Sequence, residues 1–367
     1  MLLDLHDDDC AYICMPLFHS NAVQVGWAPS IVTGCAVALA RKFSASQWLP
    51  DVQHYRPTYF NYTGKPLAYL LATLEQPDDA SNTLRIAFGN EGSPEVVREF
   101  SRRYGIEVID AYGATEGGIA VNRDSSTPAT ALGRPGDTVK VVDDEGVQRV
   151  VAQIDEHGRL CNADDCIGEI VNTAGVGPCE GYYNNQQAND ATARFGWYWS
   201  GDLGYFDADG FLYFAGRNSD WIRVDGENFP AAPIEEILRS APGVLLAAVY
   251  AVPDAAAGDQ AMAALVLEPT ARFDGAAFAK WLDEQTSIGP KWRPKYLRIL
   301  RDPPTTGTNK IIKRTLAQQK WRADLCASDV VYVRERGEHR YREFDATAEA
   351  ALFTTFAAHE RERFWDL

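Results

Sequence analysis

Side chains suited to binding a phosphorylated ligand occur together in the segment AYGATEGG (111–118). Thr115 and Glu116 place a hydroxyl beside a carboxylate, a pair suited to Mg²⁺ that carries phosphates. Tyr112 offers a face for a flat ring. A predicted strand ends just before Thr115, at the kind of sheet edge where α/β proteins bind ligands. A glycine-rich turn with a surface glutamate would explain this segment equally well when it is taken alone.

A second candidate pair, Asp202 and Arg217, flanks a predicted hairpin in YWSGDLGYFDADGFLYFAGR (198–217). Asp202 follows Gly201 in a tight turn, where its carboxylate could accept two hydrogen bonds from a ribose diol. The hairpin would return Arg217 to the side of Asp202. Taken alone, Asp202 could equally be a capping residue.

A third candidate, Lys310, lies in a loop rich in Thr and Gly within PPTTGTNKIIKRTL (303–316). A mobile ammonium group there can place a positive charge against a carboxylate or an α-phosphate. A solvated surface position is the usual alternative for any lysine. It is what we expect for Lys313 and Arg314.

The elements that must position these residues begin with a strand–helix alternation up to about residue 130. Such alternation is typical of a parallel sheet covered by helices. The predicted strands are 10–18, 35–40, 57–63, 84–89 and 106–113, and the predicted helices are 46–56, 65–76 and 93–104. For the uncharged residues 22–40 we expect a buried helix followed by a buried strand, in preference to a transmembrane helix.

The pattern changes after residue 130 to short strands joined by Asp/Glu-Gly turns, which predict a small antiparallel β subdomain. From about residue 218 the pattern predicts a compact α+β module, with helices at 233–240 and 276–286 and strands at 244–252, 261–268 and 296–300. We therefore expect an α/β fold in which part of a large N-terminal domain precedes a small mobile C-terminal domain. The expected boundaries are 1–130 and 131–217 within the large domain, 218–325 for the small domain, and 326–367 for a tail.

The bulk composition favours a globular protein, since 46% of the residues are hydrophobic. A formal net charge of −16 argues against a nucleic-acid partner, although a single nucleotide could still bind. The seven cysteines contain no CxxC pair, so reduced thiols are expected ahead of a zinc site. The first forty residues contain no Lys or Arg, which argues against a signal peptide. We expect a cytoplasmic protein.

Together and in this order, the three candidate segments resemble the adenylate-forming superfamily of acyl-CoA synthetases, adenylation domains and luciferases. The stretches GNEGSP, GRPGD, PCEGYY, RVDGEN and TGTNKIIK are most similar to long-chain fatty acyl-CoA ligases and fatty-acid transport proteins. The resemblance covers about residues 10 to 320. Several motifs in the right order make it highly specific.

The resemblance implies a role for each matching residue. The implied nucleotide-binding residues are Gly89, Asn90, Glu91 and Gly92 along adenine, Tyr112 stacked on it, and the ribose pair Asp202 and Arg217. The implied catalytic residues are Thr115 on phosphate, Glu116 on Mg²⁺, His19 near the substrate carboxylate, and Lys310, which promotes adenylation. Gly226 would lie beside the pantetheine channel, and Ser219 occupies the hinge position.

The implied reaction consumes ATP and coenzyme A, with Mg²⁺, to activate a carboxylic acid, expected to be a fatty acid. The acid would attack the α-phosphorus of ATP and release pyrophosphate. Rotation of the C-terminal domain about residue 219 would then admit the thiol of coenzyme A to the adenylate. We expect no transmembrane segment, and peripheral membrane contact stays open.

The sequence departs from the family pattern in three places. Ser219 stands where relatives usually carry Asp or Lys, and Asn309 replaces a frequent glycine. The family's phosphate loop should precede PLFH, and nothing in residues 1–15 resembles it. This third departure predicts impaired catalysis and an exposed sheet edge.

Two alternatives to an acyl-CoA ligase therefore stay open. One is a non-catalytic relative that binds AMP or an acyl-adenylate. The other is a different reaction of the superfamily, such as loading a carrier-protein thiol or activating an aryl acid.

Overall fold

The computed structural model describes residues 3–114, 116, 118–124, 126–177, 179–217, 220–224, 227–256, 258–306, 310–326 and 328–366. Its first sheet has five parallel strands in the order β2-β1-β3-β4-β5. The strands are β1 (Cys10–Ile13), β2 (Ala36–Leu39), β3 (Tyr59–Thr63), β4 (Ile86–Asn90) and β5 (Glu107–Asp110). The helices are a π-helical segment (Asn21–Trp27), α1 (Ala28–Thr33), α2 (Ala45–Tyr55), α3 (Lys65–Leu71) and α4 (Pro94–Tyr104). The predicted parallel sheet with covering helices is confirmed.

An aromatic core joins the helices to this sheet. Trp48 of α2 lies 5.5 Å from Phe60 of β3 and 5.0 Å from Tyr104 of α4, measured between ring centroids. Helix α4 begins where the hydroxyl oxygen of Ser93 accepts a hydrogen bond from the amide of Val96, and it ends at Gly105 in the left-handed conformation. The central strands are thus held rigidly, and their carboxyl ends can position the loops that follow them.

The expectation of burial for residues 22–40 is wrong, although the helix and the strand occur where they were predicted. Trp27, Ile31 and Val32 are exposed to 40%, 66% and 71%. The side of the helix that faces the sheet carries small residues, and a Cβ on Gly26 would lie 3.0 Å from Asn61 and Ile13. The large apolar side chains therefore point away from the sheet. The strand β2 pairs only with β1 among the described residues, so its outer edge is exposed.

The second sheet is antiparallel, in the order β8-β12-β11-β10-β9. Its strands are β8 (Ala131–Gly133), β9 (Val139–Val142), β10 (Gly168–Asn172), β11 (Tyr198–Phe206) and β12 (Leu212–Arg217). A short ribbon of β6 (Tyr112–Gly113) and β7 (Ala120–Val121) precedes it, and it is accompanied by α5 (Ala163–Cys166) and α6 (Gln186–Thr192). The hairpin turns thus produce the antiparallel β structure that was predicted for this part of the chain.

The third sheet has the order β15-β16-β17-β18-β19. Its strands are β15 (Val244–Pro253), β16 (Asp259–Leu267), β17 (Tyr296–Ile299), β18 (Val330–Val333) and β19 (Arg342–Glu343), and a ribbon of β13 (Trp221–Val224) and β14 (Glu227–Pro230) precedes them. The helices are α7 (Ala231–Arg239), α8 (Gly275–Glu284), α9 (Lys313–Gln319), α10 (Ala346–Ala358) and α11 (Arg363–Asp366). Residues beyond 326 therefore supply two strands of this sheet, while the domain boundaries stay predictions.

None of the described helices is long and apolar enough to cross a membrane. All seven cysteines lie in described positions and are free thiols.

Candidate active site

The hairpin of β11 and β12 pairs Asp202 directly with Arg217. Nε of Arg217 lies 3.1 Å from Oδ1 of Asp202, and the hydroxyl of Tyr112 donates a hydrogen bond of 2.8 Å to Oδ2. Burial raises the pKa of Asp202, and the Tyr112 hydroxyl and Arg217 oppose this effect. Because its side chain is only 13% exposed while that of Arg217 is 68% exposed, the carboxylate is fixed and the guanidinium reaches into solvent.

The loop Gly89–Gly92 begins at the carboxyl end of β4 and packs tightly against its neighbours. A Cβ on Gly89 would lie 2.2 Å from the carbonyl oxygen of Tyr62, so only glycine fits there. The amide of Gly92 and the hydroxyl of Tyr62 each donate a hydrogen bond of 2.8 Å to Oδ2 of Asp110. Asp110 thus holds this loop at the end of β5, a function that the sequence analysis did not assign.

Burial raises the pKa of Asp110 to about 7, and the hydrogen bonds from Gly92 and Tyr62 oppose this effect. The neighbouring Asn90 has a buried Oδ1 atom that has no hydrogen-bond partner among the described residues. A buried acceptor without a hydrogen-bond partner lowers the stability of a protein. A donor on a ligand would satisfy it.

Glu116 accepts hydrogen bonds from two tyrosines on both of its carboxylate oxygens. The hydroxyl of Tyr198 donates to Oε2 at 3.0 Å, and that of Tyr182 donates to Oε1. Burial would raise the pKa of Glu116, but the two hydroxyls, a backbone amide and Arg217 outweigh it and lower the pKa below its usual value. The result is an anionic carboxylate in a fixed orientation. Tyr182 lies in the stretch PCEGYY and Tyr198 in the segment 198–217, and neither sequence pattern predicted a role for them.

Lys310 reaches this cluster from the third sheet's side of the molecule, and its ammonium forms an ion pair with Oε1 of Glu91. Burial lowers the pKa of His19, the nearby Lys310 lowers it further, and Glu91 opposes both effects. His19, Glu91 and Lys310 therefore come together from three distant segments. Lys310 also acts electrostatically on Asp202, which connects it to the ribose pair.

Three predicted site residues, Thr115, Ser219 and Gly226, lie outside the described residues, as does Asn309.

The expectation that Lys313 is solvated is wrong. Its ammonium lies 2.7 Å from Oδ2 of Asp220 and 2.7 Å from Oε1 of Glu235. Both carboxylates are distant in sequence, so the local pattern could not reveal the contact. Arg314 is exposed as expected.

Another lysine missed by the sequence analysis is Lys65, at the start of α3. Burial lowers the pKa of Lys65 to about 8, while Glu235 and Glu91 raise it. The preceding Gly64 lies close to the loop of Glu91, since a Cβ there would lie 2.4 Å from the carbonyl oxygen of Glu91.

Two family models match this chain in succession. The model described as AMP-binding enzyme matches residues 2–182, and the AMP-binding enzyme C-terminal domain matches residues 233–310. The first covers the parallel sheet together with Tyr112 and Glu116, and the second ends at Lys310.

Curated relatives support the same family. Steroid-22-oyl-CoA synthetase of Rhodococcus jostii is 49% identical over 97% of this chain and 64% of the relative. Medium/long-chain-fatty-acid–CoA ligase of Mycobacterium marinum is 50% identical over 84% of this chain and 59% of the relative. The chain thus spans about three fifths of the length of these relatives.

Solved structures share the fold. An anthranilate CoA ligase in complex with anthranoyl-AMP superposes with a TM-score of 0.72 at 22% identity, over 85% of this chain and 60% of that one. O-succinylbenzoate coenzyme A synthetase from Bacillus subtilis, in complex with AMP, gives a TM-score of 0.67 at 26% identity, over 86% and 62%. The chain belongs to the AMP-binding enzymes, the adenylate-forming superfamily that includes the acyl-CoA synthetases.

Proposed function

We propose that the protein takes part in AMP-forming acyl-CoA ligation, in which a carboxylic acid is activated as its adenylate and then transferred to coenzyme A. The observation that carries this proposal is the convergence of Asp202, Tyr112 and Arg217 with Lys310. Tyr112, the hairpin of Asp202 and Arg217, and Lys310 are three segments far apart in the chain, and their chemistry suits the adenine ring, the ribose and the α-phosphate of one nucleotide.

In this proposal Asp202 accepts hydrogen bonds from the ribose hydroxyls, and Tyr112 stacks on adenine. The loop Gly89–Gly92 lies along the ring, where the unpaired Oδ1 of Asn90 can accept a hydrogen bond from the adenine amino group. Arg217 supports the ribose through its ion pair with Asp202. The buried acceptor atoms of Asp202 and Asn90 suit the hydroxyl and amino donors of a nucleoside.

Glu116 is the residue we propose to hold Mg²⁺, with Thr115 beside it on phosphate. Its anionic oxygens fit a hard cation, and among the described residues no lysine or arginine forms an ion pair with it. Mg²⁺ when bound would neutralise phosphate charge. Tyr182 and Tyr198 would orient the carboxylate for this purpose.

Lys310 carries the first half-reaction in this proposal. The acid, located near His19, attacks the α-phosphorus, pyrophosphate leaves, and the Lys310 ammonium stabilises the negative charge that develops. To do so it must exchange Glu91 for the substrate. In the second half-reaction the small domain turns about Ser219, and Gly226 lines the approach of the coenzyme A thiol. The thiol then attacks the acyl carbon and AMP leaves.

The acid we propose is one with a large apolar body. Relatives named for medium- and long-chain fatty acids and for a steroid-22-oyl group are about equally similar to this chain, at 50% and 49% identity. A fatty acid is the first choice and a steroid side-chain acid the second.

The test is to incubate the protein with ATP, Mg²⁺, coenzyme A and one acid at a time, and to measure pyrophosphate and the acyl-CoA product by mass spectrometry. We expect AMP and acyl-CoA in equal amounts from at least one apolar acid, and no product from Lys310→Ala. Product from benzoate alone, or acylation of a carrier protein in place of coenzyme A, would contradict the proposal.

A second candidate function is the binding of AMP or an acyl-adenylate without turnover. It is favoured by the same assembly of Asp202, Tyr112 and Arg217, which requires no chemistry. Calorimetry with AMP and ATP decides between the two. Similar affinity for both nucleotides, together with no pyrophosphate release, would support this second candidate.

A further inference from the structure

Hydrogen bonds join residues 304–306 to residues 310–312, the two described arms of what we call the Lys310 hairpin. The amide of Thr306 donates to the carbonyl oxygen of Lys310 at 2.8 Å, and the amide of Lys310 donates to the hydroxyl oxygen of Thr306 at 3.1 Å. The amide of Ile312 donates to the carbonyl oxygen of Pro304 at 2.8 Å. Helix α9 begins at the next residue, Lys313, so this lysine directly follows the hydrogen-bonded arm of the hairpin.

Lys313 is bound at the centre of a group of charged residues. Its ammonium lies 2.7 Å from both Asp220 and Glu235, and all three side chains are at most one quarter exposed. Glu235 is itself fixed, because its Oε1 atom accepts a hydrogen bond of 2.7 Å from the amide of Val249 in β15. Two carboxylates that share one ammonium make a strong anchor, since removing the lysine would leave two like charges together.

Asp220 connects this anchor to the proposed hinge. It directly follows Ser219, the residue that we propose as the hinge. Through Lys313, the hairpin of Lys310 is therefore tied both to the first residue after the hinge and to the sheet of the small domain.

We infer that Lys313 is a positioning residue that makes the Lys310 hairpin move as one body with the segment after the hinge. This inference rests on the proposed function for its consequence, because it predicts that Lys313 is needed for adenylation. A turn at the hinge would then place or withdraw Lys310 without any further rearrangement of its loop.

The test compares three variants of the 367-residue chain, Lys313→Met, Lys313→Arg and Arg314→Met. The last is a matched control, because it removes a neighbouring exposed charge from the same helix. Hydrogen exchange is measured at the amides of Thr306, Lys310 and Ile312, and the rates of acyl-adenylate formation and of thioester formation from supplied acyl-adenylate are measured separately.

For Lys313→Met we expect exchange at these amides to be about 10-fold faster, because the hairpin loses its anchor. Adenylate formation should be at least about 10-fold slower because Lys310 is misplaced. The dissociation constant for AMP should stay unchanged, and thioester formation from supplied adenylate should change less than about 3-fold, since neither requires Lys310 in place. Lys313→Arg should restore both the exchange rates and adenylation. A purely structural role would slow both half-reactions together.

If Lys313→Met does not fold, the triple variant Lys313→Met, Asp220→Asn, Glu235→Gln removes the repulsion and takes its place. Exchange and adenylation like those of Arg314→Met would overturn the inference. If the wild-type chain forms no acyl-adenylate with any acid, the proposed function fails, while the exchange measurements still decide the inference about Lys313.

Discussion

The two halves of the candidate site are held in different ways. Asp202 is fixed by the pairing of β11 with β12 and by a partly buried hydrogen bond from Tyr112. The ammonium of Lys310 is held by its ion pair with Glu91, and both side chains are substantially exposed, at 38% and 45%. Exposed ion pairs contribute only about 0–1 kcal/mol, so a substrate can displace Glu91. The nucleotide half of the site, Asp202 with Tyr112, is therefore preorganised. In the lysine half, Lys310 with Glu91, the ion pair can be exchanged for a contact with the substrate.

The largest expected effect comes from the lysine half. Lys310→Ala should slow acyl-adenylate formation about 1,000-fold, about 4 kcal/mol, because the charge developing on the α-phosphate loses its counter-charge. Affinity for AMP should change less than about 3-fold. Single-turnover measurement of adenylate with ATP and a fatty acid checks this, with the exposed Lys280→Ala as control. Adenylation by Lys310→Ala at the wild-type rate would contradict the assignment.

The pH dependence of the free energy of unfolding tests the nucleotide half, because Asp110 holds the loop Gly89–Gly92 there. Its folded-state pKa is about 7, above the ordinary value of 3.8, so the folded protein binds the proton more tightly than the unfolded chain does. Stability from this group is therefore present at low pH and is lost as the pH rises to 7. Between pH 5 and 8 the loss should be about 2–3 kcal/mol.

Urea unfolding of the wild type and of Asp110→Asn at both pH values isolates this contribution, because all other titrating groups are shared. The variant should lose less stability than the wild type over this interval. Equal losses would mean that Asp110 does not titrate in this range.

Asp202→Asn should weaken AMP binding about 10-fold or more, since a charged hydrogen-bond acceptor contributes about 1.5–3 kcal/mol. The physical reason is the loss of the anion that Tyr112 and Arg217 orient. Calorimetry with AMP measures it, and Asp209→Asn, in the exposed turn of the same hairpin, is the control. Unchanged affinity would remove Asp202 from the site.

The smallest expected effect is that of Glu91→Gln on stability. Because the pair with Lys310 is exposed, the free energy of unfolding should change by less than about 1 kcal/mol, and added salt should reduce even this. Urea unfolding at low and high salt measures the change. A loss above about 2 kcal/mol would show that the lysine half is as rigid as the nucleotide half, and the contrast between them would disappear.

Much of the fold followed from local patterns. Predicted strands at 57–63 and 84–89 correspond to β3 and β4, because buried parallel strands appear as short apolar runs. The predicted return of Arg217 to Asp202 needed only the Asp-Gly turn between them. The burial of residues 22–40 was predicted wrongly, because an apolar helix has the same sequence pattern whether its large side chains face a sheet or face away from it.

The amino-acid sequence by itself determined the succession of a parallel sheet, an antiparallel sheet and an α+β module, since these depend on hydrophobic period and turn residues. Residue type and spacing also predicted Asp202, Glu116 and Lys310 as site residues. Only the tertiary structure decided that Lys310 meets an exposed glutamate while Lys313 is anchored. Lys313 and Asp220 are 93 positions apart, and two lysines in one basic segment have the same local chemistry. Their different surroundings depend on long-range packing, which local pattern does not encode.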